Sequence, residues 1–544
     1  MTTLARYFHT IRYLRPVQIL GRVRFLLVKP RVDLRVAPGT RERRQTYVPP
    51  AGSLPTLVGP DVFRFLNVER RCSSAEEWRP LGASQLWTYN LHYFDDLNAL
   101  DAAARAAWHE SLLRRWAAVN PPGEGPGWEP YPVSRRIVNW VKWVCAGNAL
   151  PAVCHASLAV QARWLTQRLE YHILGNHLFA NAKALMHAGL YFSGDEAEGW
   201  YSLGAAIIER ELREQVLADG GHFELSTMYH AGAIEDLLDL INLQRAYGRP
   251  VPGEWLAAVE RMRSWLRVMT HPDGEISFFN DAAFAVAPRA TELDRYAERL
   301  CLPEARPAFG SVALLKASGY VRAAAGAAYL ICDCAPVGPD YLPGHAHADT
   351  LSFELSIGLQ RVFVNSGTSE YGSGTERLRQ RGTAAHNTVA VDGHDSSEVW
   401  GGFRVARRAR VHLHNVSERE GKIVIEASHD GYRRLRGRNE HMRRWSLSER
   451  SLHIEDNLSG EFRTAEAYFH LAPDIQPEVL GSDRVVLSWA PRVTARMTFS
   501  GADSVQVTPA TWHPEFGMSV GSRCVVARFS GATLTTAVCW EGGR

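Results

Sequence analysis

Gly344-His345-Ala346-His347-Ala348-Asp349 runs directly into Thr350-Leu351-Ser352-Phe353-Glu354-Leu355, between a Pro- and Gly-rich loop (Pro336 to Pro343) and a strand-like alternation. In an extended backbone, residues two apart share a side. His345 and His347 are therefore expected to aim at one site, with different jobs. The stretch also lies just past a change of texture in the chain, and that change sets the fold class.

Upstream, from about residue 60 to about 310, apolar residues recur at helical spacing. Helices are predicted over Asp101–Val119, Ile137–Ala146, Leu158–Leu169, Leu178–Phe192, Trp200–Val216, Ala233–Tyr247 and Glu254–Met269. Periodicity does not choose between a helical bundle and a toroid of stacked hairpins. Downstream, short β-branched runs are separated by Gly, Asp, Asn and Ser turns: Val362–Val364, Thr388–Val391, Val411–Leu413, Lys422–Glu426, Leu452–Ile454, Val493–Phe499 and Ser504–Thr508. That spacing predicts an all-β sandwich. Leu302 to Phe309 reads as the linker. The expected organisation is an α+β multidomain chain: a basic arm over residues 1–60, a helical domain over 61–310 and an antiparallel β-sandwich over 311–544.

The 544 residues, 46% of them hydrophobic and 22% charged, are globular in character and exceed what one core organises. No apolar run approaches the roughly 18–20 residues of a membrane span. The net charge of +3 is nearly neutral, but its distribution is uneven. Residues 1–45 carry Arg6, Arg12, Arg15, Arg22, Arg24, Lys29, Arg31, Arg35, Arg41, Arg43 and Arg44 against only Asp33 and Glu42. Tyr7 to Lys29 lacks the apolar core and cleavage site of a secretory signal, which argues for the cytoplasm. It reads as an amphipathic arm that packs on the protein, with peripheral contact to an anionic membrane surface as the alternative. The eight cysteines are scattered without a CxxC pair, and Cys332-Asp333-Cys334 reads as buried strand.

Four polar clusters carry candidate chemistry. Trp128-Glu129-Pro130-Tyr131 and Ser134-Arg135-Arg136-Ile137-Val138-Asn139-Trp140 interleave rings with Arg and Asn, which suits sugar stacking and carboxylate binding. The same residues could equally plug a helical core. Gly175-Asn176-His177 reads as a break before a helix, placing an amide and an imidazole where an anion is favoured, with a plain N-cap as the alternative for Asn176. Asp219 to His230 leads through Glu224 to Tyr229, an acid/base candidate if nearby cations lower its phenol, and otherwise helix-end packing. Finally, His386 enters a strand and could join His347 and Asn365 as metal ligands on neighbouring strands.

Taken in order, Asn176-His177, Glu224-Leu225-Ser226-Thr227-Met228-Tyr229-His230, Gly344 to Asp349 with Leu351-Ser352-Phe353, and Arg381 to Val391 resemble the heparinase II/III-like polysaccharide lyases. The likeness spans roughly residues 85–400, and the Tyr7–Leu27 segment resembles that of members found with bacterial surface-polysaccharide genes. It implies an incomplete α/α toroid followed by an antiparallel β-sandwich, with the active site between them. It also implies β-elimination next to a uronate carboxylate, in exopolysaccharide or O-antigen metabolism. That substrate class makes the periplasm the alternative compartment.

By the same resemblance, Asn176 and His177 neutralise the carboxylate, Tyr229 is general acid and for some substrates also base, and His345 is the alternative base. Positive surroundings are expected to favour Tyr229 as phenolate. Tyr131, Arg136, Asn139, Trp140, Glu224 and Tyr371 are expected to line sugar subsites.

The family's structural Zn²⁺ would fall to His347, Asn365 and His386. Asn365 stands where the family has Asp, and a neutral amide is a weaker zinc ligand. The metal is then absent, loosely bound or replaced by a hydrogen-bond network; no organic cofactor is expected. Two other functions compete. One is a catalytically silent glycan-binding or assembly protein, which has little reason to keep a proton-transfer pair. The other is a glycoside hydrolase, whose two carboxylates could only be Glu224 with Asp281 or Glu235. A nucleic-acid role lacks any recognisable module.

Overall fold

The computed structural model describes residues 3–305, 310–489 and 493–541. Two helices, α1 (Thr3–Ile11) and α2 (Pro16–Leu27), precede a small three-stranded sheet over Leu57–Gly59, Val62–Phe65 and Val68–Arg71. The helical domain then runs through α3 (Gln85–Leu91), α4 (Ala106–Val119), α5 (Pro130–Cys145), α6 (Ala152–Gln167), α7 (Gly175–Tyr191), α8 (Asp195–Gln215), α9 (Thr227–Ala246), α10 (Gly253–Val268) and α11 (Ala290–Arg299). One more helix, α12 (Thr375–Arg381), lies inside the β-domain. Strands begin at Val312, and residues 306–309 of the expected linker fall outside the described residues.

Helix α7 is the axis of the helical part. It packs against α5, α6, α8 and α9, and every residue from Leu178 to Tyr191 is buried. A helix enclosed on all sides is apolar or small where it packs, as at Leu178, Phe179, Ala182, Ala184, Leu185, Ala188 and Leu190, and its buried polar residues are paired, Asn181 with Glu170 and Lys183 with Asp236 and Asp239. Tryptophans fill the surrounding space: Trp116 meets Trp128 and Trp140 at ring separations of 6.2 and 5.6 Å.

The β-domain is a sandwich. An eight-stranded antiparallel sheet runs in spatial order Val411–Arg419, Lys422–His429, His441–Ser448, Ser451–Leu458, Thr533–Glu541, Val493–Ser500, Arg484–Trp489 and Gln476–Val479. It shares one core with a five-stranded sheet (Val312 to Phe363) and a four-stranded sheet containing Val389–Val391 and Ala465–His470. Trp445, Ile454 and Val538 meet Leu330, Phe353 and Phe469 there. In Ser451–Leu458 every second residue is buried, the period a half-covered sheet requires.

The arm joins the two domains. On α2 the side chain of Gln18 donates to Ile173 O (3.4 Å) in the helical domain and to Tyr341 O (3.2 Å) in the β-domain. Gly21 lies so close to the next loop that a Cβ there would sit 2.9 Å from the backbone N of His172. Phe25 is sandwiched at 4.2 Å from the His172 ring and 3.4 Å from the Arg168 guanidinium. Gln18, Gly21 and Phe25 thus form the inner face. On α1, Tyr7 meets Trp400 edge-on at 4.9 Å and Thr10 accepts a hydrogen bond from the Trp400 indole at 3.1 Å.

Gly21→Val is expected to unseat α2 and leave both large domains folded. Trypsin cleavage after Arg22 and Arg24 should accelerate while the circular dichroism spectrum stays unchanged; equal cleavage rates would contradict this docking.

Candidate active site

Two left-handed residues in succession, Leu174 (φ 70°) and Gly175 (φ 56°), turn the chain into α7. At position 174 this is strained backbone for a side-chain-bearing residue. The turn is tight because a Cβ at Gly175 would come within 2.3 Å of Leu342 and 3.3 Å of Glu224 Oε1. Asn176 and His177 consequently occupy the first turn of the central helix, where free backbone N–H groups favour an anion. Asn176 is not the N-cap, since that position belongs to Leu174. Its half-buried amide has no hydrogen-bond partner among the described residues.

His177 places Nδ1 3.0 Å from Glu170 Oε1, and its ring lies 4.6 Å from that of Tyr131. Burial works against its charge, but Glu170 and then Glu224 outweigh burial and raise its pKa above the ordinary 6.5.

Helix α9 begins at Thr227, capped by Ser226, whose hydroxyl accepts from Tyr229 N at 3.2 Å. Tyr229 sits in that first turn. Its ring stacks on His345 at 3.9 Å and 17°, and its hydroxyl meets the Tyr371 hydroxyl at 2.8 Å. His345 Nδ1 is held by a short hydrogen bond to Glu224 Oε2. A neutral imidazole that donates from Nδ1 keeps its lone pair on Nε2. Leu225, between Glu224 and the cap, is also left-handed at φ 61°.

The surroundings of Tyr229 correct the phenolate expectation. Burial, then Tyr371 and the carboxylates of Asp281 and Glu224, push its pKa well above 10.0. Tyr229 stands protonated, the state of a proton donor.

Asp281 ties these parts together. Its backbone N donates to His345 O at 3.0 Å, and its backbone O accepts from the Ser226 hydroxyl that caps α9. Its carboxylate is forked by Arg377, with Nη2 to Oδ2 at 2.7 Å, and also takes His347 Nε2 (2.8 Å) and Thr368 Oγ1 (3.2 Å). Neighbouring Asn280 holds His347 N through Oδ1 (3.0 Å) and Leu225 O through Nδ2 (3.0 Å). The His345 segment is therefore a loop and not a strand, and its two histidines serve different partners.

The three residues to which the resemblance assigns a metal do not suit a single ion. His386 turns Nε2 to His347 Nδ1 at 3.2 Å and Nδ1 to Asn365 Oδ1 at 3.3 Å. The two nitrogens of one imidazole face away from each other, so Asn365 and His347 lie on opposite edges of the ring. His347's other nitrogen is spent on Asp281. Among the described residues no cluster of three or more His, Cys, Asp or Glu is arranged to hold a metal.

Several expected subsite residues lie elsewhere. Arg136 and Trp140 have no exposed surface. Arg136 lies 3.9 Å over Trp116 and donates to Gln161 Oε1 at 2.9 Å, inside the helical core. Asn139 bonds Tyr93 O (2.9 Å) and Asp95 Oδ1 (2.6 Å) and is buried. Glu224 is buried too and serves His345 rather than a sugar. Tyr131 and Tyr371 do border the cluster, through His177 and Tyr229. Neither hydrolase pairing survives: Glu224 and Asp281 are both engaged, and Glu235 lies further along α9, 3.9 Å from Lys142. Sequence reasoning missed Arg377 and Glu170. The pattern Thr375-Glu376-Arg377-Leu378-Arg379-Gln380-Arg381 looks like a solvated helix, yet Arg377 and Arg381 are fully buried.

Comparison with known proteins matches residues 107–299 to the heparinase II/III N-terminus and residues 310–541 to the heparinase II/III-like C-terminal domain. A relative named FtsZ-localized protein C, from Caulobacter vibrioides, is 27% identical over 80% of this chain and 78% of its own. A heparin-sulfate lyase of Bacteroides stercoris is 28% identical over 41% of this chain, which is 36% of that enzyme's length. In fold, the chain is similar to the crystal structure of heparinase III with a TM-score of 0.71, at 20% identity over 86% of this chain and 79% of the other. The helices form the same toroid layer and the strands the same sandwich. On these matches, the chain belongs to the heparinase II/III-like family of polysaccharide lyases.

Proposed function

We propose that this protein cleaves a uronate-containing anionic glycan by β-elimination, in bacterial exopolysaccharide or O-antigen metabolism. The observation that carries the reading is the stack of Tyr229 on His345 at 3.9 Å, beside the first turn of α7 with its unspent Asn176 amide. Asn176, the α7 N–H groups and protonated His177 neutralise the uronate carboxylate, which makes the C5 proton removable by stabilising the enolate-like charge that develops. His345 takes that proton on Nε2, the nitrogen that Glu224 leaves free. Tyr229, kept as a phenol by burial and by its acidic neighbours, gives its proton to the departing O4 as the C4–O4 bond breaks and C4=C5 forms. Tyr371 orients the Tyr229 hydroxyl. One protein thus divides acid and base between two stacked rings.

The arm supports a peripheral contact with an anionic membrane. With Gln18, Gly21 and Phe25 facing inward, Ile19, Leu20, Val23, Leu26 and Leu27 form a continuous outer arc at 100° per residue, flanked by Arg22 on one side and Arg24 on the other. Leu20, Leu26 and Leu27 are 68, 72 and 76% exposed, and on α1 Leu4 and Phe8 are 81 and 65% exposed. An apolar face turned outward between arginines fits the interface of a bilayer. No described helix is long and apolar enough to cross one.

Incubation with a panel of uronate glycans is expected to raise absorbance near 230–235 nm, where an unsaturated uronate absorbs. Tyr229→Phe and His345→Ala should each lower kcat by roughly 10²–10⁴-fold. Binding of a glycan that is indifferent to Tyr229→Phe, with no absorbance from any substrate, would replace the lyase with a silent binder. His177 sets a pH dependence. It is cationic below its raised pKa, so KM should climb as pH passes through that value, above 6.5, and this limb should vanish in His177→Gln. Flotation with phosphatidylglycerol-containing vesicles should exceed that with phosphatidylcholine alone, and Leu20→Glu/Leu27→Glu should weaken it by about tenfold or more; equal flotation of the variant removes the membrane from the proposal.

A further inference from the structure

The ligand set implied by the family is broken in this chain, yet the His345–His347 loop is fastened in place. Asp281 is fully buried and carries a charge that needs a cation. The cation present is the guanidinium of Arg377, itself fully buried, which forks both carboxylate oxygens and anchors Nε on Gly402 O at 3.2 Å. From that pair the connections radiate: His347 and Thr368 to the same carboxylate, and the Asp281 backbone to His345 and to Ser226 at the start of α9.

We propose that Arg377 is the fixed cation of this site: its guanidinium, locked on Asp281, ties the loop carrying His345 and His347 to the start of α9, which carries Tyr229, and the protein folds and works with no bound metal. Three features of the chain agree. Asn365 brings no negative charge to an ion. Asp281, the nearest carboxylate to His347, has both oxygens occupied. A divalent ion drawn to His347 and His386 would also face a permanently charged guanidinium one carboxylate away. Only arginine meets the geometry, because its planar fork reaches two oxygens while Nε reaches a third acceptor, and an ammonium has no such reach. A cation delivered by the chain itself cannot be lost by dilution or chelation.

The inference does not rest on the lyase reading, because metal content and thermal stability are measured without a substrate. Elemental analysis of the full-length protein after gel filtration should find zinc, manganese, calcium and other divalent metals well below stoichiometric amounts. Its Tm should not move with EDTA or with added zinc. Stoichiometric metal that survives filtration, or a Tm that falls on chelation, overturns the proposal even if no variant can be purified. Arg377→Met should lower Tm by roughly 5–10 °C, as expected when one half of a buried pair is removed. Arg377→Met/Asp281→Asn should lose clearly less than the two single changes added together; full additivity would show that the pair is not the link. Arg377→Lys should keep the fold but recover only part of the Tm. Where a substrate has been found, this variant should lower kcat at unchanged KM, since no sugar touches the pair. A lysine variant equal to wild type in both Tm and kcat would contradict the proposed role of the fork.

Discussion

One buried carboxylate, Asp281, decides where the groups of the candidate site stand. A charge with no exposed surface is tolerated only when paired and fully hydrogen-bonded, so its partners are forced to converge. Arg377 comes from α12, Thr368 and His347 come from loops of the β-domain, and the main chain around residue 281 belongs to the segment after α10. Breaking such a pair costs on the order of 3–5 kcal/mol, comparable with much of the stability of a whole domain. That magnitude lets the site hold strained residues nearby. Leu174, Leu225, Asn280 and Leu351 are all left-handed, each at a cost of about 1–3 kcal/mol, and each adjoins a loop that carries a site residue.

The fold was largely legible in the sequence, and the errors have a common physical origin. The seven predicted helices all exist, and their predicted ends fall within a few residues of the observed ones. Most starts were read late, α5 beginning at Pro130 rather than Ile137, α7 at Gly175 rather than Leu178 and α9 at Thr227 rather than Ala233, while α4 begins at Ala106 and was read early, from Asp101. Hydrophobic period reports where a helix packs against neighbours. A first turn that faces a cleft does not pack, and it carries polar residues. The missed turns include those that hold Tyr131, Asn176, His177 and Tyr229, beside the first turns of α6 and α8, which hold no candidate site residue. Function hid in the part of each helix where the periodic signal is weakest.

That Tyr229, His345 and Glu224 come together was legible where a motif carried them, and other residues were misread where composition alone did. Arg136, Asn139 and Trp140 looked like a sugar platform because rings, amide and guanidinium alternate. Burial reverses that meaning: the rings of Trp116 and Trp128 flank the guanidinium, Gln161 Oε1 accepts from its Nε and His92 O from its Nη1. A sequence does not distinguish an arginine stacked on an indole in a core from one waiting at a surface. The protonation of Tyr229 was misjudged for a related reason. Arginines abound in the chain, but Arg377, whose guanidinium lies over the Tyr371 ring, is already paired with Asp281. Carboxylates and burial therefore set the potential at the phenol.

The position of Gln18 also orders events in time. Its amide closes a contact with residue 341, a separation of 323 residues along the chain. At about 5–20 residues per second, a ribosome needs on the order of tens of seconds to supply the partner. The arm thus leaves the ribosome long before its seat exists, with its apolar and cationic side chains unpaired. Whatever greasy or anionic surface lies near the translating ribosome meets this helix before the rest of the protein does.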